Sequence, residues 1–285
     1  MITITGATGQ LGRLTVTALL DRGVPAGEIV AAVRNPDKAA DLAALGVQVR
    51  HADYNQPETL AEAFAGTDRL LLISGSEVGQ RVAQHANVVA AAKAAGVRLI
   101  AYTSILNADT SGVSLATEHR ASEALVRDSG LPFVLLRNGW YLENYTANLA
   151  PALQHGAIFG TAGEGRVAAA TRADFAAAAA AVLAGEGHEN AVYELGADQS
   201  FTMAELAAEV TRQSGTEVVY RDLPAEEYTK VLVGVGLPEP VAAMLADSDQ
   251  GIARGELATD SGDLRTLIGR PTTTLAEGIG AALAA

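Results

Sequence analysis

The chain has no cysteine, one tryptophan, five histidines and only three lysines, Lys38, Lys93 and Lys230. Without cysteine there are no disulfides and no thiol catalysis, and so few histidines leave no cluster with metal-ligand spacing. No metal is expected. No apolar run approaches the ~20 residues that a membrane-spanning helix needs, and the N-terminus shows no basic, apolar, small-residue leader pattern. A cytoplasmic protein with no membrane partner is therefore expected. With 20 Lys and Arg against 33 Asp and Glu, the formal net charge is −13. That balance disfavours nucleic acid, whose phosphate backbone calls for clustered cations. The 49% hydrophobic content of 285 residues can bury one large domain, or a domain and a small lobe.

What the chain does have begins at residue 6. A β-branched run, Ile2-Thr3-Ile4-Thr5, is followed by Gly6-Ala7-Thr8-Gly9-Gln10-Leu11-Gly12 and then by the apolar Leu14 to Leu20. A strand thus turns into a helix through glycine. Glycines permit the tight turn and leave no side chain between backbone and an anion, while the first N–H groups of the helix point outward at it. The spacing Gly-x-x-Gly-x-x-Gly differs from the commoner Gly-x-Gly-x-x-Gly, but the strand-to-helix context is the one that a dinucleotide site requires.

The pattern then repeats. Strands are predicted at Ile29–Val33, Gln48–Ala52, Arg69–Ile73, Arg98–Ser104 and Phe133–Arg137, with helices at Pro57–Phe64, Arg81–Ala95 and about Thr117–Ser129. Such alternation predicts an α/β fold, a Rossmann-type doubly wound parallel sheet, since parallel neighbours need helical crossovers. Where an acidic residue would bind a ribose 2′-hydroxyl stands Arg34, with Lys38 four residues on. A cation there suits a 2′-phosphate, which favours NADP over NAD, although a solvated Arg at a strand end is the plain alternative. Asp53 and Tyr54 suit the edge of an adenine pocket or, equally, a loop and helix cap. Ser74-Gly75-Ser76 ends the fourth strand with room for ribose and phosphates. After the sixth strand, Trp140, Tyr141 and Tyr145 are interleaved with Arg137, Asn138, Glu143 and Asn144, as in a substrate pocket rather than a plain core.

Residues 159–165 read as a glycine-rich loop. Thr171-Arg172-Ala173-Asp174 has capping-box spacing before a helix from Phe175 to Leu183, nearly all alanine, which signals close packing. A seventh strand is predicted at Ala191–Leu195, a helix at Met203–Ser214 and a short strand at Glu217–Tyr220. The division expected is a dinucleotide-binding core over 1–150, joined by a strand returning from 190–197, and a small C-terminal α/β lobe over 151–285 covering the crevice.

Taken together, GATGQLG at Gly6–Gly12, VRNP at Val33–Pro36, LLLIS and SEVGQR between Leu70 and Arg81, IAYTS at Ile100–Ser104, LRNGWY at Leu136–Tyr141 and ATRADFA at Ala170–Ala176 resemble the NmrA-like branch of the atypical short-chain dehydrogenase/reductases. Within it the chain is most similar to bacterial NADPH:quinone oxidoreductases, with triphenylmethane reductases as close relatives. The resemblance spans essentially the whole chain. It implies NADPH bound by Gly6, Ala7, Thr8, Gly9, Gln10 and Leu11, by Arg34, Lys38 and Asp53, by Ser74, Gly75, Ser76 and Thr103, and by Asn138, Gly139 and Trp140. It also implies a planar acceptor, a quinone or another conjugated molecule, near Trp140, Tyr141 and Tyr145; a homodimer is left open.

The departure from the broad dehydrogenase pattern is as informative. Typical members carry a Tyr-x-x-x-Lys pair after strand five, the Lys helping the Tyr to pass a proton. Here Ser104 stands at the usual Ser position, His119 at that of the Lys and Leu115 at that of the Tyr, and none of the seven tyrosines has a Lys four residues later. An aliphatic carbonyl reduced by hydride becomes a strongly basic alkoxide, whereas a quinone becomes a phenolate whose conjugate acid has a pKa of ~10. The missing acid is tolerable for a quinone. His119 and Asn138 are the candidate catalytic groups near the nicotinamide, with a helix-surface role for His119 as the alternative. Three functions remain open on the sequence: flavin-independent quinone reduction, reduction of triarylmethane-type dyes, and an NADP-binding redox sensor without turnover.

Overall fold

The computed structural model describes residues 1–147 and 149–284. Six parallel strands, β1 (Ile2–Thr5), β2 (Ile29–Val33), β3 (Gln48–His51), β4 (Arg69–Leu72), β5 (Leu99–Ile105) and β6 (Phe133–Asn138), share a sheet with the later β8 (Ala191–Leu195). Their spatial order is β3-β2-β1-β4-β5-β6-β8. Strands β2, β5 and β6 are buried along their whole length, the near-continuous apolar pattern that a parallel sheet covered on both faces demands. The order reverses between β1 and β4, so a crevice opens beyond their carboxyl ends.

One face is covered by α3 (Pro57–Ala63), α4 (Arg81–Ala94) and α5 (Ser114–Asp128), around Phe64, Leu70, Val88, Ile100 and Tyr102. The other carries α1 (Gln10–Asp21) and α8 (Arg172–Ala184), with the short α2 (Ala40–Ala44) at its edge. Helix α8 is buried on nearly every side from Asp174 to Leu183, which is why its sequence is apolar all round rather than striped. Its alanines let it lie close against α1. This helix and α12 (Asp263–Ile268), which packs on α8 and β8, therefore sit with the sheet although both fall after residue 150.

The remaining chain builds a second core around Phe201, Leu206, Val210 and Ile252. It comprises α6 (Glu143–Thr146), α7 (Ala150–His155), α9 (Met203–Ser214), α10 (Ala225–Gly234), α11 (Glu239–Ala253) and α13 (Leu275–Ala284), with a two-stranded parallel sheet of β7 (Ala157–Gly160) and β9 (Val219–Asp222). The reading of 159–165 as loop holds for 161–165, but Phe159 and Gly160 end strand β7, whose partner lies about sixty residues away and which no short-range alternation announces. Helix α5 begins three residues earlier than expected, at Ser114, whose N–H is met by Asp247 of α11 at 2.7 Å. The capping signal at Thr171 is half realised. Its hydroxyl accepts from Asp174 N–H at 3.1 Å, but the Asp174 carboxylate accepts from Thr273 N–H and pairs with Arg270 at 2.7 Å instead of reaching back. A complete capping box closes at Thr202 and Glu205.

Candidate active site

The crevice is shaped by the glycine turn. Gly6 has φ of +59°, a left-handed conformation that glycine adopts without strain, and its carbonyl accepts from Gly9 N–H at 2.9 Å. A Cβ on Gly12 would lie 2.5 Å from the Gly6 oxygen and 2.7 Å from the Ala7 Cα, so the third glycine lets α1 pack against the turn that feeds it. No acidic residue occupies the first turn of α1, which leaves its positive end uncompensated. Opposite stands the segment after β4. Thr5 Oγ1 accepts from Ile73 N–H at 3.1 Å, Thr103 Oγ1 from Ser74 N–H at 2.9 Å, and His85 Nε2 from Gly75 N–H at 3.1 Å.

Between these walls lies a cavity of about 480 Å³. Of the residues named from sequence, Gly6, Thr8, Gly9, Gln10, Leu11, Arg34, Asp53, Ser74, Gly75 and Ser76 line it. Ala7 is fully buried beneath the turn. Thr103 lies one layer below, as the acceptor for Ser74. Lys38 stays outside on an exposed turn, where its carbonyl accepts from Arg13. Asp53 both lines the cavity and holds its own loop, accepting from Asn55 N–H and Gln56 Nε2. The cavity also takes in Glu77, Gln84 and Arg172, none of them picked out as site residues from sequence. Glu77 binds Arg34 at 2.9 Å and Gln84 at 2.9 Å across the mouth. Arg172 was legible as part of a capping motif and of ATRADFA, not as a site residue.

Asn138, which ends β6, and Gly139, Trp140, Tyr141 and Tyr145, which follow it, stand outside this cavity. Gly139 has its own reason to be glycine, because a Cβ would meet Leu106 at 2.8 Å and the Leu195 carbonyl at 3.0 Å. Tyr141 meets Phe175 edge-on at 5.5 Å between centroids, and the Arg172 guanidinium lies over the Tyr141 ring, 4.4 Å from its centre. Trp140 and Tyr145 are partly buried and pack against the core of the lobe, Tyr145 edge-on to Phe201 at 6.0 Å. Among the described residues neither Asn138 Oδ1 nor the Tyr145 hydroxyl, both buried, has a hydrogen-bond partner. Arg137 is not interleaved with these rings. Strand alternation turns it the other way, where it is buried against Glu123 at 2.6 Å, Asp109 at 2.8 Å and Glu194 at 2.9 Å. Burial opposes its charge, but these carboxylates outweigh it and hold the guanidinium pKa above its usual value.

His119 is buried on α5, not on its surface, and its Nδ1 shares a 2.7 Å hydrogen bond with the Tyr102 hydroxyl. His85 Nδ1 meets Ser122 at 2.8 Å. Burial first, with the nearby Arg81 charge adding to it, pushes both imidazoles down to about 3. Both are neutral near pH 7. Ser104 is engaged too, donating to Glu123 at 2.6 Å. Leu115 packs against the lobe core.

A doubly wound sheet with a glycine turn opening a helix at the reversal of strand order defines a dinucleotide-binding protein. The donor set suits a phosphate-bearing dinucleotide: a helix N-terminus with no carboxylate in its first turn, the hydroxyl-bearing Thr8, Ser74 and Ser76, and two arginines, Arg34 and Arg172. The chain belongs to the NAD(P)H-binding family, whose profile matches residues 6–186. It is 56% identical over 279 residues, 98% of this chain and 97% of the other, to quinone oxidoreductase 2 of Escherichia coli. Among solved structures, an Escherichia coli NADPH-dependent quinone oxidoreductase complexed with NADPH has a TM-score of 0.97 at 55% identity, covering 99% of this chain and all of that one (100%). The triphenylmethane reductase of Citrobacter sp. complexed with NADP(H) has a TM-score of 0.95 at 45% identity, with 99% and 100% covered. No helix among the described residues is long and apolar enough to cross a membrane.

Proposed function

We propose that this chain is an NADPH-dependent reductase that delivers hydride to a quinone-like planar acceptor. The observation that carries the reading is a dinucleotide crevice with Arg34 at its mouth, in a chain whose usual acid position holds Leu115. Near-full-length likeness to a quinone oxidoreductase supports it. NADPH supplies the hydride. The turn from Gly6 to Leu11 presents its N–H groups to the pyrophosphate, Arg34 binds the 2′-phosphate, and Asp53 with Ser74 to Ser76 holds the adenosine half. Trp140, Tyr141 and Tyr145 form the apolar wall for the acceptor, and Asn138 offers an unpaired oxygen beside it. His119, neutral and bonded to Tyr102, steadies β5 against α5 and is no proton source near pH 7. The quinol oxygen is weakly basic, so water can protonate it.

Mixing purified protein with NADPH and an acceptor panel, while following loss of reduced-nicotinamide absorbance, tests this directly. Quinones are expected to turn over and aliphatic ketones to lag by about 10²–10⁴, the usual worth of one acid–base group. Triarylmethane dyes belong in the panel because of the likeness to the dye reductase. No turnover with any acceptor would replace this reading with an NADP-binding sensor.

A further inference from the structure

Arg172 belongs to the ATRADFA motif, and neither the glycine turn nor the aromatic segment gives its side chain a task. It opens α8, yet its side chain leaves the helix to line the cavity that the glycine turn lines. The guanidinium is mostly buried, with 16% of the side chain exposed, and it is fixed on three sides. One face lies on the Tyr141 ring at 4.4 Å, Nη2 donates to Asn144 Oδ1 at 3.0 Å, and Nη1 stands 3.4 Å from the Glu143 carboxylate. Both Glu143 oxygens are shared with the Arg172 backbone N–H, at 2.9 and 3.1 Å. A rigid planar cation with spare donors, built into the wall of an anion site, is suited to phosphate.

We propose that Arg172 is a cofactor-binding residue whose guanidinium contacts the pyrophosphate, and that through Tyr141 and Asn144 it ties cofactor binding to the order of the acceptor wall. This rests on the NADPH reading above. The assignment to pyrophosphate follows from the charges available. The cofactor carries two anionic groups, and Arg34 stands at the mouth with Glu77, where the 2′-phosphate belongs. Arg172 is at the end marked by Tyr141 and Asn144, beside the Glu143 carboxylate, and the cofactor's anionic group toward that end is the pyrophosphate at the start of α1. Pyrophosphate is common to NADPH and NADH, so this contact confers affinity without discriminating between them.

The two arginines are thereby separable by ligand. Affinities of wild type, Arg34→Ala and Arg172→Ala are measured by nicotinamide fluorescence for NADPH and NADH, and by competition for adenosine 2′-monophosphate, which lacks a pyrophosphate. Arg172→Ala is expected to weaken NADPH and NADH by the same factor, roughly 10- to 100-fold for a charged hydrogen bond, and to leave the monophosphate unchanged. Arg34→Ala gives the converse, weakening NADPH and the monophosphate but not NADH. Arg172→Lys, which keeps the charge and loses the fork, should recover part of the affinity, and it serves as the working variant if the alanine variant does not fold. Unchanged NADPH and NADH affinity, loss of NADPH alone, or equal loss of the monophosphate would overturn the assignment. Tight cofactor binding by the wild type with no turnover would overturn the reductase reading and leave Arg172 standing.

Discussion

At the level of single residues, the proposed cofactor preference rests on Arg34. It is 69% exposed and paired with Glu77, itself 40% exposed, so the pair adds little stability and is readily exchanged for a phosphate. Arg34→Ala is expected to weaken NADPH while NADH is nearly unaffected, and Lys38→Ala to have a smaller effect because Lys38 lies outside the cavity. Equal wild-type affinity for the two cofactors in a titration would contradict the assignment. A second residue-scale effect follows from His85 and His119. With folded values near 3 and an unfolded value of ~6.5, the unfolded chain binds more protons across that window. Their contribution is complete above pH ~6.5 and is lost as pH falls toward about 3. Asp249, pushed up to about 6 by burial, acts in the opposite sense at the upper end of the window, so wild type must be compared with a variant. His119→Asn, which keeps a polar atom toward Tyr102, should flatten the fall of the denaturation midpoint between pH 6.5 and 4. An identical slope in both proteins would show that His119 is not held neutral.

At the scale of elements, the glycine turn gives its three glycines different jobs. A Cβ on Gly9 would meet a single atom, the Gly6 oxygen, at 3.2 Å, whereas on Gly12 it would meet the backbone of the turn at 2.5 to 3.0 Å. Gly12→Ala should therefore cost about 1–3 kcal/mol in denaturant unfolding, the usual range for overpacking. Gly9→Val should fold but fail to bind NADPH; a folded variant with normal affinity would make the turn purely structural. These elements were legible because local chemistry dictates them: β1, β2, β8 and α9 follow runs of apolar or capped residues and lie where periodicity put them. Strand β7 was not legible, since Ala157–Gly160 becomes a strand only by pairing with Val219–Asp222. Likewise Asp174 has the spacing of a cap, but distant Thr273 and Arg270 claim its carboxylate.

Across the whole molecule, the site divides into a part that one stretch of sequence specifies and a part that assembly creates. The glycine turn, Arg34 and Ser74 to Ser76 stand at carboxyl ends of neighbouring strands, and the strand-turn-helix rhythm alone places them together. Glu77, Gln84 and Arg172 arrive from a loop and from helices on opposite faces of the sheet, which no local pattern reveals. The same holds for His119, whose burial against Tyr102 depends on how α5 meets β5. The central claim is direct two-electron reduction with no protein-bound flavin and no Tyr–Lys acid, and it is tested most directly by following the purified protein, without added cofactor other than NADPH, through reduction of a simple quinone. The account predicts a protein spectrum free of flavin, one quinol formed per NADPH consumed, and slower turnover with NADPH deuterated at the transferred position. A bound flavin, a one-electron-reduced product, or an aliphatic ketone reduced as efficiently as the quinone would contradict it.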